Sequence, residues 1–207
     1  MLNNKFKSQS EFDAYITEQN IRMTKGCLTR SEREQLKSML VKDYKPIIIE
    51  QEKTKLPLVS SRSELNKPCQ EVTKEDNIKE IVQKLKDTFA CYAGYGISAN
   101  QIGIQKRISY VKIPKIVNKE LQFSEYIIIN AKIIEKDRPI KLQNEMCLSF
   151  PGIPVTTERY VFCTVEFLNE KMELQTSLFQ DLEALAIQHE CDHQDGITLF
   201  DRKWRAK

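Results

Sequence analysis

Long hydrophobic runs are missing from this sequence of 207 residues. No apolar stretch approaches the roughly 18–20 residues that a membrane-spanning helix needs, which argues against a membrane protein built from helices. The first twenty residues contain no apolar core of a secretory signal, and Glu11, Asp13 and Glu18 argue against an organellar transit peptide. We therefore expect an unprocessed, soluble chain in the cytoplasm.

The chain also has little excess charge of either sign. Its 32 Lys and Arg residues and 29 Asp and Glu residues give a formal net charge of +3. That charge is too small to indicate a nucleic-acid partner. Residues 1–46 carry the whole excess, with nine basic and six acidic side chains, whereas the remaining residues hold 23 of each.

Disulfide signals are absent, although the number of cysteines is even at six. The sequence has no CxxC pair and is not a small cysteine-dense scaffold, so we expect free thiols in a reducing compartment. A chain of this length buries well over half of its unfolded surface without such cross-links. Each cysteine is then either a small buried hydrophobe or a metal ligand.

The sequence predicts two parts. Residues 1–60 form a helical extension and a connector: Thr29 and Glu32 have the spacing of a capping box, and prolines punctuate the stretch that follows. Residues 61–207 are expected to form a single second domain that carries the chemical motifs. The extension has no counterpart that we can name, and contact with a ribosome, an oligomer partner or the core all stay open for it.

Helices and strands in the second part are predicted from the spacing of apolar residues. A helix should begin near Thr73 and end at Gly94, because its apolar residues recur at helical spacing. Between residues 108 and 175 the period becomes two, which predicts strands at 108–113, 126–130, 159–168 and 172–176. Their short connections leave no room for crossover helices, so the sheets should be mostly antiparallel. A last helix should begin at the capping-box spacing of Ser177 and Gln180 and end before Gly196.

Histidine is scarce, and its placement is the sharpest chemical signal. His189 and His193 are the only two histidines, and Glu190 completes an HExxH motif. Two imidazoles one helical turn apart can bind one metal ion, and the glutamate can face water at that ion. Two surface histidines are the simpler alternative, but Leu182 and Ala186 continue the same stripe toward the core. The fold class is therefore α+β, with mostly antiparallel sheets packed around a central helix that carries HExxH.

Two histidines leave such a site one protein ligand short. Only fourteen residues follow His193, and none is His, Cys or Glu. Asp195 is too close in sequence to reach the same face, and Asp201 is an awkward alternative. We expect the third ligand upstream among the cysteines, where Cys147 stands out because its segment, 144–152, is rich in turn residues. Core packing is expected instead for Cys91, Cys163 and Cys191.

Glycines 94 and 96 begin the segment GYGISANQ (94–101). Alone it is a weak phosphate-loop signal, because no strand precedes it and no suitably spaced helix follows. Together with EMCLS (145–149) and HECDH (189–193), however, it closely resembles in order and spacing the three motifs of the peptide deformylase family, GxGxAAxQ, EGCxS and HExDH. The resemblance covers about residues 65–202.

This resemblance implies a metal-dependent hydrolase that removes the formyl group from N-formyl-methionyl peptides of newly made proteins. It implies that Cys147, His189 and His193 bind one divalent ion, commonly Fe²⁺ in this family, with Zn²⁺, Ni²⁺ or Co²⁺ as substitutes. Glu190 resembles the general base, which then acts as the acid that protonates the leaving amine.

The same resemblance implies roles on the substrate side. The Gln101 side chain and the Leu148 backbone N–H would stabilise the oxyanion that forms from the formyl oxygen. Gly96, beside Tyr95, resembles the position where an extended substrate pairs as an added strand. The walls expected for the methionine pocket are Leu182, Leu185 and Ala186.

Three features depart from the family pattern. Met146 replaces the glycine next to the metal cysteine, and Ser98 replaces a common alanine, which adds a hydroxyl group. An arginine that often follows the second motif is missing near Pro154, although Arg159 can serve as the second family arginine.

Two other classes of function stay open at this point. An HExxH endopeptidase would cleave unformylated peptides and would need Asp201 or another downstream ligand. A catalytically inactive relative would act as a binding module. The intact set of functional side chains argues against that second alternative: Gln101, Cys147, His189, Glu190 and His193.

Overall fold

The computed structural model describes residues 55–117 and 120–205, so the predicted N-terminal helix and most of residues 1–60 lie outside the described part. In chain order the elements are α1 (Arg62–Leu65), α2 (Ile78–Phe89), β1 (Gly96–Ser98), a 3-10 helix (Ala99–Ile102), β2 (Ile108–Val117), β3 (Glu120–Glu145), β4 (Val155–Leu168), β5 (Leu174–Gln180) and α3 (Asp181–Gln194). The predicted α+β class is confirmed. Within the described ranges, no helix is long and apolar enough to span a bilayer.

The sheet is an antiparallel meander with the strand order β1-β2-β3-β4-β5. Strand β3 is long, at 26 residues, and its register against β4 shifts three times. Asn130 and Asn144 lie at two of these shifts with positive φ angles of 52° and 58°, a conformation that asparagine tolerates better than most residues. Such bulges bend a strand locally, and the last one directly precedes the loop that carries Cys147.

Helix α2 is shorter than the sequence predicts. It begins at Ile78, and its N-cap is Asn77, whose side chain accepts the Glu80 N–H. Thr73 instead forms a separate turn, in which its own N–H donates to the Asp76 carboxylate at 2.8 Å. The helix ends at Phe89 rather than at Gly94. The predicted apolar stripe is confirmed, since Val82, Leu85 and Phe89 are buried in one core cluster and Ile78 and Ile81 pack against it.

The predicted start of helix α3 is wrong. Ser177 and Gln180 belong to strand β5, where they pair with Val165 and Phe162 of β4, and the helix begins at Asp181. Seven consecutive strand pairings outweigh the gain from one capping box, which contributes about 1 kcal/mol. Helix α3 then packs against all five strands.

Two of the three cysteines predicted to pack in the core do so, and the third, Cys91, is only partly buried. All five that lie in the described ranges are free thiols. Cys163 and Cys191 are almost fully buried in one core cluster of sheet and α3 side chains, which confirms their packing role. Burial raises the pKa of the Cys163 thiol to about 12, so it stays protonated and unreactive. Cys91 is only partly buried at the end of α2, where its thiol donates to the Asp87 carbonyl.

We expect Leu85→Ala to destabilise the protein by about 2–5 kcal/mol, because it leaves a cavity where a fully buried side chain packs between α2 and the sheet. The matched control is Leu178→Ala on β5, where the side chain is 66% exposed. That change should alter the free energy of unfolding by no more than about 0.5 kcal/mol. Urea denaturation measures both, and equal losses would contradict this assignment of the core.

Candidate metal centre

Three side chains that prefer transition metals converge where α3 passes the loop between β3 and β4. The ligand atoms of Cys147, His189 and His193 all lie within 4.8 Å of one another. His189 and His193 stand one turn apart on α3 with ring centroids 5.0 Å apart. The Cys147 sulfur lies 3.3 Å from His193 Nε2. One thiolate and two imidazoles within this distance can hold one divalent ion.

Gln101 helps to fix the cysteine. Its Nε2 donates to Cys147 Sγ at 3.4 Å and to Ser149 Oγ at 3.1 Å, while its Oε1 accepts the Ser98 N–H at 2.9 Å. These contacts define which end of the amide is nitrogen, so the donor end points at the cysteine loop. A turn in which the Phe150 N–H donates to the Cys147 carbonyl at 3.0 Å closes this loop.

Glu145 holds the first histidine. Its Oε1 lies 2.6 Å from His189 Nδ1, so Nδ1–H donates to the carboxylate and Nε2 is the ring nitrogen left to face a metal ion. Burial alone would raise the pKa of Glu145, but the neighbouring Arg159 and His189 outweigh it and hold that pKa well below its usual range. The carboxylate is therefore ionised, and it fixes the ring orientation and tautomer of the histidine.

A buried ion-pair network extends from this carboxylate. Arg159 donates to Glu145 at 2.7 Å and to Asp192 at 2.5 Å, and Arg202 pairs with Asp192 at 2.7 Å. The Thr157 hydroxyl also donates to Glu145. Arg159 is 2% exposed, and its guanidinium donates to carboxylates on two sides. Its donors are therefore taken up within the network, where Arg159 links Glu145 of β3 to Asp192 of α3.

Glu190 lies beside the three candidate ligands and is 3% exposed. Its Oε2 accepts a hydrogen bond from the Ser98 hydroxyl at 2.8 Å. Burial, which disfavours the charged form, raises the pKa of Glu190 to about 7 despite the opposing effect of His189. A carboxylate that gains and loses a proton near neutral pH suits general acid–base chemistry.

Gly96 leaves the space that Glu190 occupies. A Cβ atom on Gly96 would lie 2.5 Å from Glu190 Oε1 and 2.8 Å from its Cδ, closer than real Cβ atoms approach. The first motif therefore meets the HExxH helix where the Gly96 backbone touches the Glu190 side chain, and any larger residue would displace that side chain.

The residues predicted for substrate binding lie near this site with different degrees of burial. Leu185 and Ala186 are each 8% exposed, and Leu185 precedes His189 by one helical turn. Tyr95 packs partly buried against the core cluster that contains Ala186. The Leu148 side chain lies over Gly94, at 3.3 Å from the position of a Cβ there.

Asp201, the alternative third ligand, lies in a different cluster. Its carboxylate accepts hydrogen bonds from Arg62 at 2.5 Å, from Asn66 at 2.9 Å and from the Thr198 hydroxyl at 2.7 Å. Its pKa is accordingly lowered, because these donors outweigh its burial. With these partners the carboxylate belongs to the α1 surface, outside the group of donors formed by Cys147 and the two histidines.

Sequence reasoning gave no role to Glu145, although it lies inside the second motif. The signal was present, since a metal-binding histidine usually donates its other ring N–H to a carboxylate, and Glu145 stands two residues before Cys147. For Ser109, which contacts Ser98, the sequence carries no signal. Only the pairing of β1 with β2, with Ser98 opposite Ser109, brings these two hydroxyl groups together.

Comparison with known families and proteins agrees with the resemblance carried by the three motifs. The family model described as Polypeptide deformylase matches residues 57–207. The peptide deformylase of Elusimicrobium minutum is 39% identical over 140 residues, which span 65% of this chain and 77% of that protein. The peptide deformylase of Aquifex aeolicus is 35% identical over 146 residues, which span 69% of this chain and 85% of that protein.

Solved structures give the same result. The Met-Ala-Ser-bound class I type b peptide deformylase from Acinetobacter baumannii superposes with a TM-score of 0.64 at 25% identity, covering 72% of this chain and 99% of that one. The peptide deformylase of Thermotoga maritima gives a TM-score of 0.63 at 28% identity, covering 73% and 99%. None of these matches supports an endopeptidase or an inactive binding module.

We expect Gly96→Ala to displace the Glu190 carboxylate by roughly 1 Å, because carbon atoms need about 3.5 Å between them and the present gap to the new Cβ is 2.8 Å. Gly94→Ala is the matched control, since its Cβ would meet only the flexible end of Leu148. Crystal structures of the two variants measure the shift. An unmoved Glu190 in Gly96→Ala would contradict the packing described here.

Proposed function

This chain belongs to the peptide deformylase family, and we propose that it hydrolyses the formyl group from the N-formyl-methionyl ends of newly made polypeptides. The observation that carries the proposal is the convergence of Cys147, His189 and His193 beside a buried glutamate. The Acinetobacter relative binds Met-Ala-Ser. A peptide that begins with a free methionine is the kind of product that such a reaction leaves.

The proposed metal ligands are Cys147, His189 and His193. Their donor set fits a divalent ion of the first transition row, because thiolate and imidazole ligands suit iron, zinc, nickel and cobalt alike. The hydrogen bond between His189 Nδ1 and Glu145 supports the fit, since metal-bound histidines are usually held in this way. We propose Fe²⁺ as the native ion, with Zn²⁺, Ni²⁺ or Co²⁺ as substitutes. Such an ion lowers the pKa of water, so that hydroxide is available at neutral pH.

Glu190 is the proposed proton carrier. In its ionised form it takes a proton from the attacking water, and it then delivers that proton to the amine that leaves. The support for this role is the buried position of Glu190, which directly follows His189 on α3 and is held by the Ser98 hydroxyl at 2.8 Å. Formate and a free amino terminus are the products.

Charge that develops on the formyl oxygen needs hydrogen-bond donors. We assign this role to the Gln101 side-chain amide and to the Leu148 backbone N–H. The support for Gln101 is the orientation of its amide: Ser98 N–H binds its oxygen, so its NH₂ group faces Cys147. Leu148 directly follows that cysteine in the same turn, so its N–H belongs to the rigid loop of the site.

Substrate binding is assigned to the outer strand β1 and to the neighbouring part of α3. Gly96 lies in β1, at the end of the strand order, where an extended peptide can add as a further strand. Tyr95, Leu185 and Ala186 are the proposed apolar contacts for the methionine side chain. The presence of Met146 beside Cys147 should shape the entrance to this site.

The substrate class also implies where the enzyme works. Formyl-methionyl chains emerge from ribosomes, so we propose a cytoplasmic enzyme that acts near the ribosome on nascent peptides. We also propose that α3, which carries the HExxH motif, is the central helix of the fold. It packs against all five strands and places the Glu190 side chain against β1.

We expect rapid formate release from a short formyl-Met peptide when the protein is purified without oxygen and supplied with Fe²⁺. Glu190→Gln should keep stoichiometric metal yet lose at least about 10²-fold in kcat, because a positioned acid–base group contributes about 10²–10⁴-fold. A coupled formate assay and metal analysis measure the two quantities. Near-normal turnover by Glu190→Gln would remove it as the proton carrier.

The same preparation distinguishes the endopeptidase. That enzyme would cleave unformylated peptides, release no formate, and keep its metal after Cys147→Ala. A deformylase with the proposed ligands should lose its metal in that variant. Stoichiometric metal in Cys147→Ala, with cleavage of unformylated peptides, would overturn the proposed function.

We expect Glu145→Gln to weaken metal affinity about 10–100-fold, because the neutral amide no longer holds His189 with a charge-assisted hydrogen bond. The matched control is Glu158→Gln, an exposed carboxylate on the facing strand β4. Competition with a coloured chelator measures the affinities, and thermal unfolding monitors the loss of the ion pair with Arg159. Equal affinities in the two variants would contradict the supporting role of Glu145.

A further inference from the structure

The Ser98 hydroxyl connects the candidate proton carrier to a second buried hydroxyl group. Its Oγ lies 2.8 Å from Glu190 Oε2 and 2.5 Å from Ser109 Oγ. Ser98 is 1% exposed and Ser109 is fully buried, so the protein itself supplies these hydrogen bonds. Ser98 and Ser109 sit opposite each other on β1 and β2.

Gln194 sets the direction of the hydrogen bonds. Its Oε1 accepts the Ala131 N–H at 3.0 Å, which identifies the other end of its amide as nitrogen. That nitrogen has two hydrogens, and it donates to the Ile128 carbonyl at 3.0 Å and to Ser109 Oγ at 2.9 Å. Since an amide nitrogen only donates, Ser109 must accept at this contact.

The proton positions then follow along the chain. Ser109 accepts from Gln194, so its single proton is available for Ser98. Ser98 accepts that proton at 2.5 Å and keeps its own proton for Glu190. The three side chains therefore form a one-way series of donors that ends on Glu190 Oε2.

We propose that Ser98 is a positioning residue for proton transfer, and that the donor chain Gln194–Ser109–Ser98 makes the two oxygens of Glu190 unequal. Oε2 is held by the chain, whereas Oε1 lies above Gly96 of the outer strand β1, where the substrate pairs in the proposed function. Oε1 is the oxygen that takes the proton from water and returns it to the leaving amine. This inference rests on the proposed role of Glu190.

Ser98 stands where the motif that this segment resembles commonly has alanine, which has no donor for Glu190. The same hydroxyl also approaches the Glu190 carbonyl at 3.3 Å, so it contacts both the backbone and the carboxylate of that residue.

The test is a cycle of Ser98→Ala, Ser109→Ala and the double variant, each loaded with the same metal. We expect Ser98→Ala to lower kcat about tenfold with KM and metal content unchanged, because it removes one hydrogen bond to a charged group. Ser109→Ala should lower kcat about threefold. In the Ser98→Ala background, Ser109→Ala should add no further loss, because the chain is already interrupted.

The matched control is Thr88→Val, which removes a buried hydroxyl group from α2, where it accepts the Leu56 N–H and has no contact with the site. Its kcat should equal that of the wild type. A kcat in Ser98→Ala within twofold of the wild type, an unchanged kcat in Ser109→Ala, or additive losses in the double variant would each overturn the proposal.

A crystal structure of metal-loaded Ser98→Ala keeps this inference separate from the proposed function. We expect the Glu190 carboxylate to rotate or to occupy two positions, whereas His189 and His193 stay in place. A wild-type protein without formate release would refute the proposed function, and the crystal structure would still report on the positioning. An unmoved carboxylate in a single position would overturn the role of Ser98.

Discussion

Helix α3 lies against all five strands, and its buried glutamines and carboxylates find partners there, whereas His193 Nδ1 is buried without a hydrogen-bond partner among the described residues. Burial of an unpaired polar group costs several kcal/mol, and α3 buries a glutamine or a charged group at nearly every turn. Gln188 binds both the N–H and the carbonyl of Tyr160 in β4. Gln194 accepts the N–H of Ala131, which lies in a bulge of β3 where the register shifts and Ala131 is not paired with β4. The side chains of these two glutamines therefore link the helix to the sheet by hydrogen bonds to strand backbone groups.

The ion-pair network continues the same principle for charge. Glu145 and Asp192 are both nearly buried, and Arg159 between them neutralises charge that would otherwise be very costly in the interior. Replacement of buried ion pairs by apolar side chains often stabilises a protein, so stability alone does not explain this network. The position of the network explains it, because the Glu145 carboxylate accepts the His189 Nδ1–H and Asp192 directly precedes His193 on α3. The network fixes β3, β4 and α3 in the geometry that the histidines need.

Much of the fold followed from the sequence wherever one periodic signal dominated. The stripe of α2 and the alternation in β4 were strong enough to predict the elements and their buried faces. The ends of the helices were less predictable, because capping signals are worth little against tertiary pairing. Ser177 has the spacing of a helix cap, yet β4 recruits it into the sheet. Thr73 has an Asp76 partner of its own, and it leaves the cap of α2 to Asn77.

The candidate site, like the fold, could be predicted only in part from the sequence. The candidate metal ligands and Glu190 could be identified from residue types and spacing, because their chemistry needs a cysteine, two histidines at helical spacing and a glutamate. The partners that orient them are ordinary residue types at long sequence distance, and only strand pairing brings them together. Glu145 is the intermediate case, since it stands next to a recognisable cysteine but acts on a histidine from another element.

The first motif shows most clearly how sequence spacing becomes geometry. Gly96 and Ser98 are two residues apart in β1, so both face the same side of the strand, and both meet Glu190. Glycine supplies the space for one carboxylate oxygen, and serine supplies a donor for the other. Gln101, one turn later in the 3-10 helix, reaches past them to Cys147. A single short segment therefore contacts both Glu190, the proposed proton carrier, and the candidate metal cysteine, and a displacement of β1 would disturb the two together.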